Sequence, residues 1–382
     1  MKMKIGLVCP YNIHKHGGVQ EVVLALKSGL EKRGHSVKII TPYPRNHRHA
    51  EDPDPAIIFA GTSTDFRTLS FSDTTSQVSS TADTERVDEI LAAEKFDILH
   101  FHEPWLPLLS RQLLQRSTSV NIATFHSKVA DGVMSRSILK AVTPYLNSVM
   151  KYLHELTAVS PSAAQYVSGL TDEPLTIIPN GIDLTKYRHK APKKTPDEQS
   201  ILYVGRLERR KGVKHLLQAF QLFSQSNPGV KLIIAGDGPD REKLELLADD
   251  LKLKNVSFLG FISDELKLDL LAKADIFCSP ALFGESFGIV LLEAMATGTV
   301  TVAGNNSGYT GVMQGLGAVS IVNPDDTEEF ARRLDLLLHE AGLRRLWEKW
   351  AKDYVAQFNY PHVVNQYEEL YQEALKTHGH KA

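Results

Sequence analysis

Two carboxylates lie eight residues apart in the segment GESFGIVLLE, residues 284–293. Ser286 is expected to cap a helix over the following residues, with Glu285 at the helix start and Glu293 about two turns further along. At about 1.5 Å per residue, roughly 12 Å of helix then separates the two carboxylates. The unpaired amides of a helix start suit a phosphate, and a carboxylate on either side suits two polyols. The spacing therefore indicates a nucleotide-sugar site, with Glu285 toward the sugar and Glu293 on the ribose; an ordinary capped helix is the alternative.

A basic cluster follows a strand-like segment in GRLERRKG, residues 205–212, which holds three arginines and one lysine. Cations at the end of a strand can neutralise a diphosphate leaving group. Gly212 then permits a tight entry into the next helix. A solvated charged turn is the alternative for any basic cluster alone, and it is disfavoured beside a proposed phosphate site.

Two glycines and a histidine in the first half of the chain are further candidates. Gly17 and Gly18 follow the first strand and open a helix, where glycines let ligand oxygens approach backbone amides. The G-x-G-x-x-G fingerprint is missing, which disfavours a nicotinamide cofactor. His126 ends a strand-like segment, at the edge where open α/β sheets bind ligands. It could donate to a sugar hydroxyl or to developing charge, and a structural histidine is the alternative.

The sequence predicts no metal site. We expect His100 and His102 to point to opposite faces of a strand, so that they do not bind a metal together. The D-P-D motif at residues 52–54 lies in a polar turn with no strand before it, and we interpret it as a loop. Cys9 and Cys278 are too far apart in sequence to form a metal site of their own, and they fit a reducing compartment.

The composition is that of an ordinary globular chain of 382 residues, with 42% hydrophobic and 23% charged residues. The formal net charge of -2 excludes a strongly basic nucleic-acid-binding protein and a polyacidic tail protein. No run of about 18 apolar residues, the length of a membrane span, is present. The first residues also lack the apolar stretch and cleavage site of a signal peptide. We therefore expect a cytoplasmic protein that is able to lie on the inner face of the cell membrane.

Short apolar runs alternate with amphipathic helical patterns along most of the chain, which predicts an α/β fold with doubly wound, mostly parallel sheets. One such series fills residues 1–182 and a second fills residues 201–361, with a Lys- and Pro-rich linker at 183–200. The Ser- and Thr-rich segment from Ala60 to Thr84 is predicted to be a long, mobile surface loop. A last helix is predicted from about His362 to Lys376. The predicted strands lie at 5–9, 37–40, 98–101, 121–124, 156–159, 176–178, 201–205, 230–236, 256–259, 275–278, 300–303 and 320–322.

Together, these segments resemble the retaining glycosyltransferases of the GT-B fold, family 4. The segment from Gly284 to Glu293 is similar to the E-x7-E motif of that family, and the resemblance covers nearly the whole chain. The first-domain segments are most similar to the bacterial phosphatidylinositol α-mannosyltransferases, which use GDP-mannose. The other matching segments are GGVQ (17–20), HEP (102–104), ATFH (123–126), PNG (179–181), GR (205–206), RKG (210–212) and EAMATGT (293–299).

The resemblance implies two Rossmann-like domains facing a central cleft, with the C-terminal helix at 362–382 crossing back to the first, acceptor-side domain. It implies that Arg206 and Lys211 hold the diphosphate and that His126 lies near the reacting sugar. The implied catalytic residues are His126, Glu285, Arg206 and Lys211. The implied donor-binding residues are Gly17, Gly18, Arg206, Arg210, Lys211, Glu285, Ser286, Phe287, Gly288 and Glu293.

The reaction implied by the resemblance moves a hexose, mannose from GDP-mannose, to a lipid or glycan hydroxyl with retention at the anomeric carbon. The departing phosphate would help to deprotonate the acceptor. The family needs no cofactor and no divalent metal. The implied partners are a nucleotide sugar, the lipid or glycan acceptor and a peripheral membrane surface, and nucleic acid is not among them.

Two departures from the family pattern bear on the substrates. Lipid mannosyltransferases carry a Lys/Arg cluster that contacts anionic lipid, whereas residues 60–90 hold only Arg67 and Arg86. Arg45 and Arg48, with the histidines beside them, would substitute weakly. Many family members carry an acid in the segment at 305–311, which has none here, so the preferred donor sugar stays open.

Three alternatives to a mannosyltransferase stay open at this point. A related enzyme could use a UDP-sugar and a soluble or different lipid acceptor. A nucleotide-sugar 2-epimerase can share the two-domain architecture, but the E-x7-E motif disfavours it. A non-catalytic sensor of sugar nucleotides should have lost one of Arg206, Lys211, Glu285 and Glu293, and all four are present.

Overall fold

The computed structural model describes residues 1–15, 17–44, 52–67, 75–79, 83–105, 109–128, 143–165, 167–187 and 199–379. These residues form two compact units. The first unit comprises Met1–Gly181 and Tyr360–Ala382, and the second comprises Ile182–Asn359. Of the predicted linker, residues 183–187 form turns in the second unit, and residues 188–198 lie outside the described residues.

The first unit is built on a seven-stranded parallel sheet with the order β3-β2-β1-β6-β7-β8-β9. The order of the strands reverses between β1 and β6, which are paired with Ile5 opposite Ile98. Both β6 and β7 are buried along their whole length, as expected for apolar strands of a parallel sheet. The strands of this unit are β1 (Lys4–Val8), β2 (Ser36–Thr41), β3 (Ile57–Phe59), β4 (Ser63–Arg67), β5 (Thr75–Ser79), β6 (Ile98–His102), β7 (Val120–Phe125), β8 (Glu155–Ala158) and β9 (Leu175–Ile177).

Strands β4 and β5 form an antiparallel hairpin within the segment that was predicted to be a loop. The prediction is wrong for these strands, whereas residues 68–74 and 80–82 lie outside the described residues. Strands β4 (STDFR) and β5 (TSQVS) each contain a single large apolar residue, so neither shows the apolar alternation by which a strand is recognised. The backbone amide of Ser79 donates to the carbonyl of Pro10, 2.8 Å away, and so joins the hairpin to the loop after β1.

The second unit contains a six-stranded parallel sheet with the order β12-β11-β10-β13-β14-β15. The strand order reverses between β10 and β13, where Leu202 is paired with Phe277. Its strands are β10 (Ser200–Val204), β11 (Lys231–Ala235), β12 (Val256–Gly260), β13 (Ile276–Ser279), β14 (Val300–Gly304) and β15 (Ile321–Val322).

Helices connect the strands of both sheets. Those of the first unit are α1 (Gly18–Lys32), α2 (Thr84–Glu94), α3 (Leu109–Arg116), α4 (residues 143–150) and α5 (Pro161–Ala164). Those of the second unit are α6 (Val213–Ser226), α7 (Arg241–Asp250), α8 (Asp264–Lys273), α9 (Ile289–Ala296), α10 (Ser307–Val312), α11 (Thr327–His339) and α12 (Ala341–Val355). Short 3-10 turns lie at Arg209–Lys211, Gly315–Ser320 and Ala356–Phe358. The last helix, α13 (Tyr360–His378), belongs to the first unit.

Helix α13 packs beside α1 on one face of the first sheet, where Val364 and Tyr371 join Leu7 and Leu26 in a buried core. A second core with α2 and α3 covers the opposite face. The predicted fold class, two parallel-sheet α/β domains with a C-terminal helix that returns to the first, is confirmed. Among the described residues, no helix is long and apolar enough to cross a membrane.

Candidate active site

The reversal of strand order in the second sheet lies between β10 and β13. Open α/β sheets bind ligands outside the carboxyl ends of their strands at such a point, because the neighbouring loops diverge there. The loop after β10 contains residues 205–212, and the loop after β13 contains residues 280–288. The two segments that were predicted to bind phosphate and sugar therefore begin at the same edge of this sheet.

A chain of ion pairs joins the two loops. Glu208 lies between two arginines, with its carboxylate oxygens 2.8 Å from Arg206 Nε and 3.0 Å from Arg210 Nε. The Nη1 atom of Arg210 lies 2.6 Å from Glu285 Oε1, and Lys211 Nζ lies 2.7 Å from the same oxygen. Three cations thus surround two carboxylates, which leaves a net positive charge for an anionic ligand. We call these five residues the charge cluster.

Four members of the charge cluster were predicted from the sequence, and Glu208 was missed. Its side chain is 3% exposed, while that of Arg206 is 47% exposed. An acid in the middle of GRLERRKG, two residues from an arginine on either side, was the available signal. Glu208 restrains the side chains of Arg206 and Arg210, because each guanidinium forms an ion pair with one of its carboxylate oxygens.

The charges of this cluster stabilise one another. Burial alone would raise the pKa of the Glu285 carboxyl, but Lys211 and Arg210 together outweigh burial and hold that pKa below its usual value. Burial likewise opposes the charge of Arg210, and the two carboxylates outweigh it, so that its pKa lies above the ordinary arginine value. Glu285 and Arg210 are therefore both charged at neutral pH, and such fixed charges can stabilise charge that develops in a reaction.

The two loops are also joined through their backbones. The amide of Leu282 donates to the carbonyl of Arg210 at 2.8 Å. Gly212 has a φ of +73°, and a Cβ atom there would lie 2.0 Å from the carbonyl oxygen of Pro280. Only glycine fits this position, because both its backbone angle and its surroundings exclude a side chain. The close approach fixes the position of Lys211 relative to the loop that carries Glu285.

Substitution of Gly212 by alanine is expected to lower the free energy of unfolding by about 1–3 kcal/mol, through the strained φ and the clash with Pro280. The matched control is Gly229→Ala. A Cβ atom at Gly229 would have no neighbouring atom within 4 Å among the described residues, and Gly229 does not have a positive φ. Thermal unfolding of both variants checks this, and equal midpoints would contradict the assignment.

The acid-free segment 305–311 has a structural role. The Asn306 side chain accepts a hydrogen bond from the amide of Tyr309 at 3.0 Å and so caps α10. Its Nδ2 donates to the carbonyl of Ala281 at 2.8 Å, in the loop that leads to Glu285. Asn306 therefore links the start of α10 to the loop after β13.

The predicted cap at Ser286 is wrong. Helix α9 begins at Ile289, and its N-cap is Gly288 with a φ of +112°. A Cβ atom at Gly288 would lie 2.8 Å from the ring of Tyr309, so the turn depends on glycine. Glu285 consequently lies in the loop four residues before the helix, where it contacts the cations, and is not at the helix start.

Glu293 lies within α9 and is 7% exposed. Its Oε1 accepts a hydrogen bond from the Tyr187 hydroxyl at 2.8 Å and lies 2.9 Å from Lys267 Nζ. Phe287, which was predicted to bind the donor, is 6% exposed, and its ring lies 5.8 Å from that of Phe358. The two carboxylates of the E-x7-E motif therefore lie in different environments, Glu285 beside Arg210 and Lys211 and Glu293 beside Lys267.

In the first unit, the strand order reverses between β1 and β6, and the candidates follow β1 and β7, which lie on either side of β6. Gly17 is the N-cap of α1 and Gly18 is its first residue, as the sequence predicted for a helix start after β1. The backbone of Gly17 is extended, with a φ of -179°. His126 directly follows β7 and is buried.

Three buried histidines form a cluster at this edge. The expectation that His100 and His102 point to opposite faces of their strand is wrong, because residues two apart share a face. Their ring centroids lie 4.3 Å apart, and the ring of His126 lies 5.1 Å from that of His102. His102 Nδ1 is 2.9 Å from His126 Nε2. Among the described residues, no group of three His, Cys, Asp or Glu side chains has an arrangement that could hold a metal.

Glu103 supports His126 from the neighbouring strand. One of its carboxyl oxygens accepts from the backbone amide of His126 at 2.7 Å, and the other accepts from the indole N–H of Trp105. Burial raises the pKa of Glu103, although the hydrogen bonds that it accepts work against that rise. The residue has a φ of +52°, which is uncommon outside glycine. Its role was missed, although it lies in the HEP segment.

Burial lowers the pKa of His100 and of His126 to about 3, and it lowers that of His102 well below the ordinary value. The nearby histidines reinforce this for His100 and His102, whereas Asn180 opposes it for His126. All three rings are therefore neutral in the folded protein at physiological pH.

The buried histidines predict loss of stability in acid. Their pKa values are depressed in the folded state, so the unfolded chain binds more protons below about pH 6.5, and stability falls as the pH falls toward about 3. Each histidine should contribute about 1 kcal/mol per pH unit in that window. Urea denaturation at about pH 7 and about pH 5.5 checks this. A smaller pH dependence is expected for His126→Gln than for the exposed control His362→Gln, and equal slopes would contradict it.

The basic residues suggested for lipid contact are only partly described. Arg45 and Arg48 lie outside the described residues, and only the backbone of Arg67 is described. Arg86 lies in α2 and pairs with Glu89 at 3.2 Å on an exposed surface. The D-P-D motif at 52–54 lies in a loop, as predicted, and Lys27 Nζ lies 3.2 Å from the Asp54 carboxylate.

Comparison with known proteins shows that the chain is similar to glycosyltransferases. The family profile for glycosyl transferases group 1 matches residues 186–354, and that for glycosyltransferase family 4 matches residues 16–186. A phosphatidyl-myo-inositol mannosyltransferase of Mycolicibacterium smegmatis is 32% identical over 375 residues, which cover 97% of this chain and 94% of that protein.

Solved structures are similar over the whole chain. A glycosyltransferase from Rickettsia africae has a TM-score of 0.75 at 19% identity, covering 98% of this chain and 99% of that one. The sucrose-phosphate synthase of Thermosynechococcus elongatus has a TM-score of 0.74 at 21% identity, covering 98% of this chain and 100% of that one. At these identities the similarity concerns the fold alone.

The chain belongs to the group 1, family 4 glycosyltransferases. Its two α/β units have the GT-B fold. The family, the enzyme class and the similarity to phosphatidylinositol mannosyltransferases that the sequence predicted are confirmed.

Proposed function

We propose that this glycosyltransferase moves mannose from GDP-mannose to a hydroxyl of a lipid or glycan acceptor, with retention of the anomeric configuration. The observation that carries the proposal is the charge cluster at the strand reversal of the second sheet. Its cations suit a diphosphate, and its carboxylate Glu285 suits the hydroxyls of a sugar. Support for mannose and for a lipid acceptor comes from the mannosyltransferase of M. smegmatis, to which the chain is similar over nearly its full length.

Arg206 and Lys211 hold the diphosphate in this proposal. Arg206 has the more exposed side chain of the two, and its anchor Glu208 keeps the guanidinium at the loop. Lys211 contributes a compact charge that can move from Glu285 to a phosphate oxygen over a short distance. Glu285, released from one cation, then accepts hydrogen bonds from the sugar, while Glu293 binds the ribose hydroxyls.

The transfer itself breaks the bond between the anomeric carbon and the β-phosphate oxygen. The acceptor oxygen forms its bond to the same carbon on the same face, and its proton passes to the departing phosphate oxygen. The nucleoside diphosphate leaves with the bonding electrons, so negative charge develops on its departing oxygen before that oxygen takes up the proton. Stabilisation of that charge by Arg206 and Lys211 is the largest contribution that we assign to protein groups.

The first unit provides the remaining groups of the proposal. His126 lies near the reacting sugar and donates a hydrogen bond to it, because its neutral ring has one N–H that can serve as a donor. Gly17 and Gly18 offer backbone amides at the start of α1, where a ligand oxygen can approach closely. Cofactors and divalent metals have no part in this proposal.

Donor turnover tests the proposal directly. The purified protein is incubated with GDP-mannose, UDP-glucose, UDP-galactose or UDP-N-acetylglucosamine, with and without vesicles that contain phosphatidylinositol, and the released nucleotide is quantified. We expect release of GDP alone, only with the lipid, and undiminished by EDTA. The configuration of the product at the anomeric carbon, measured by NMR, should match that of the donor.

Each of the alternative results would contradict one element of the proposed function. Release of UDP would overturn the mannose donor, and release that is indifferent to lipid would overturn the lipid acceptor. Loss of activity with EDTA would overturn metal independence. An inverted product would overturn retention and with it the same-face transfer.

A further inference from the structure

The hydrogen bonds of the buried polar groups around His100 have a defined donor and a defined acceptor at each step. The hydroxyl of Thr157 donates to the carbonyl of Ala123 at 3.0 Å. Its oxygen therefore accepts from Thr124, 2.6 Å away, since Thr157 has no second proton to give. Thr124 has then given its own proton and must accept from His100 Nε2 at 2.6 Å. The remaining nitrogen of His100, Nδ1, accepts from the hydroxyl of Tyr371 on α13 at 2.7 Å.

The other two histidines share a single hydrogen bond between His102 Nδ1 and His126 Nε2. Both rings are neutral, so each carries one proton, and only one of the two facing nitrogens can be the donor. In the described part of the chain, His102 Nε2 is a buried atom without a hydrogen-bond partner. Buried N–H groups without a partner are rarer than buried acceptors without one. The proton of His102 therefore lies on Nδ1, where it is donated to His126.

We propose that His102 is a positioning residue, which fixes His126 as the tautomer that carries its proton on Nδ1. Because Nε2 of His126 accepts from His102, its only ring proton lies on Nδ1, and this nitrogen always acts as a donor. The role of that donor toward the sugar rests on the proposed function above, whereas the tautomer itself follows from the hydrogen bonds of the first unit.

The surroundings of His102 and His126 are consistent with a fixed geometry. The His102 ring packs against that of His100 at 4.3 Å, and His100 is held from both sides by Tyr371 and Thr124. The backbone amide of His126 donates to Glu103 at 2.7 Å, which holds the histidine at the end of β7. Turning over either ring would break the hydrogen bond between His102 Nδ1 and His126 Nε2, which lies among buried side chains.

The tautomer can be read without any substrate. Long-range ¹H–¹⁵N correlation spectra of the full chain, labelled with ¹⁵N-histidine, distinguish protonated from unprotonated ring nitrogens, and the spectrum of His126→Gln assigns the signals of His126. We expect Nδ1 of His126 to be protonated and Nε2 to be the acceptor. Protonation of His126 on Nε2 would overturn the proposal, because His102 would then be the acceptor of the shared hydrogen bond.

Two variants of His102 separate positioning from packing. In His102→Asn the side-chain amide lies at the place of Nδ1 and can still donate to His126, whereas in His102→Gln it lies at the place of Nε2. Both variants should unfold at similar temperatures. We expect His126 to keep its proton on Nδ1 in His102→Asn. In His102→Gln we expect a mixture of the two tautomers of His126.

Kinetics with GDP-mannose and phosphatidylinositol vesicles complete the test. His102→Gln should lower kcat about fivefold, the scale of one neutral hydrogen bond, with KM for the donor unchanged, and His102→Asn should stay within about twofold of the parent chain. Equal kcat and an unaltered tautomer in His102→Gln would overturn the positioning role. If the parent chain turns over no donor, the proposed function fails, and the spectra still decide the tautomer.

Discussion

Replacing Lys211 with alanine is expected to lower the turnover of the nucleotide-sugar donor by at least about 100-fold, the effect of removing one group that stabilises charge in the transition state. The ammonium group of Lys211 lies 2.7 Å from Glu285 at the strand reversal of the second sheet. Without it, the departing diphosphate loses a compact cation, while Glu285 retains its ion pair with Arg210. Steady-state measurement of released nucleotide over a range of donor concentrations gives kcat and KM separately.

The neighbouring Lys214 provides the matched control. It lies in the first turn of α6, three residues from Lys211, and its side chain is exposed. Lys214→Ala removes the same charge from the same segment and should leave turnover within about twofold, since exposed charges contribute little. Turnover of Lys211→Ala within tenfold of the parent chain would rule out the role assigned to Lys211.

The sequence was sufficient to select the two loops that the fold brings to the strand reversal of the second sheet. Strand runs of continuous apolar residues and intervening helical patterns located all six strands of the second sheet, and the reversal point then follows from the topology of such sheets. Arg206, Arg210 and Lys211 were recognised as a basic cluster after a strand, and Glu285 was recognised by its spacing from Glu293.

The sequence alone could not predict which of these side chains form ion pairs with one another. Glu285 and Lys211 are 74 residues apart, and only the folded sheet brings their loops together. Glu208 was overlooked because an acid among three arginines looks like solvated surface, whereas the structure buries it. The helix cap is Gly288, whereas Ser286 was predicted. The ring of Tyr309 packs against the turn at Gly288, and the sequence does not reveal this tertiary contact.

Two short elements of the first unit were missed for related reasons. Strand β3 has only three residues, too few for a period to be read. The β4–β5 hairpin consists largely of Ser and Thr, so no apolar face distinguishes it from a loop. The histidine cluster was missed through the assignment of His100 and His102 to opposite faces, although a strand period of two residues places them together.

Replacing Glu285 with glutamine is expected to separate binding of the nucleotide from transfer of the sugar. The amide keeps the shape of the side chain and removes the charge that holds Arg210 and Lys211 at 2.6 and 2.7 Å. Both cations are then available to phosphate, so the nucleoside diphosphate should bind more tightly. Turnover should nevertheless fall by at least about 100-fold, because the carboxylate that orients the sugar is lost. Isothermal titration with GDP and steady-state kinetics measure the two effects independently.

The control for this variant is Glu265→Gln, which removes an equal charge from the exposed first turn of α8. It should change neither GDP binding nor turnover measurably. If Glu285→Gln bound GDP more weakly, the two cations would depend on the carboxylate for their position, and Glu285 would be a scaffold of the phosphate site. If it kept turnover within tenfold, the carboxylate would have no essential contact with the sugar. Only tighter GDP binding together with slow transfer fits a residue that restrains the cations in the empty site and binds the sugar in the occupied one.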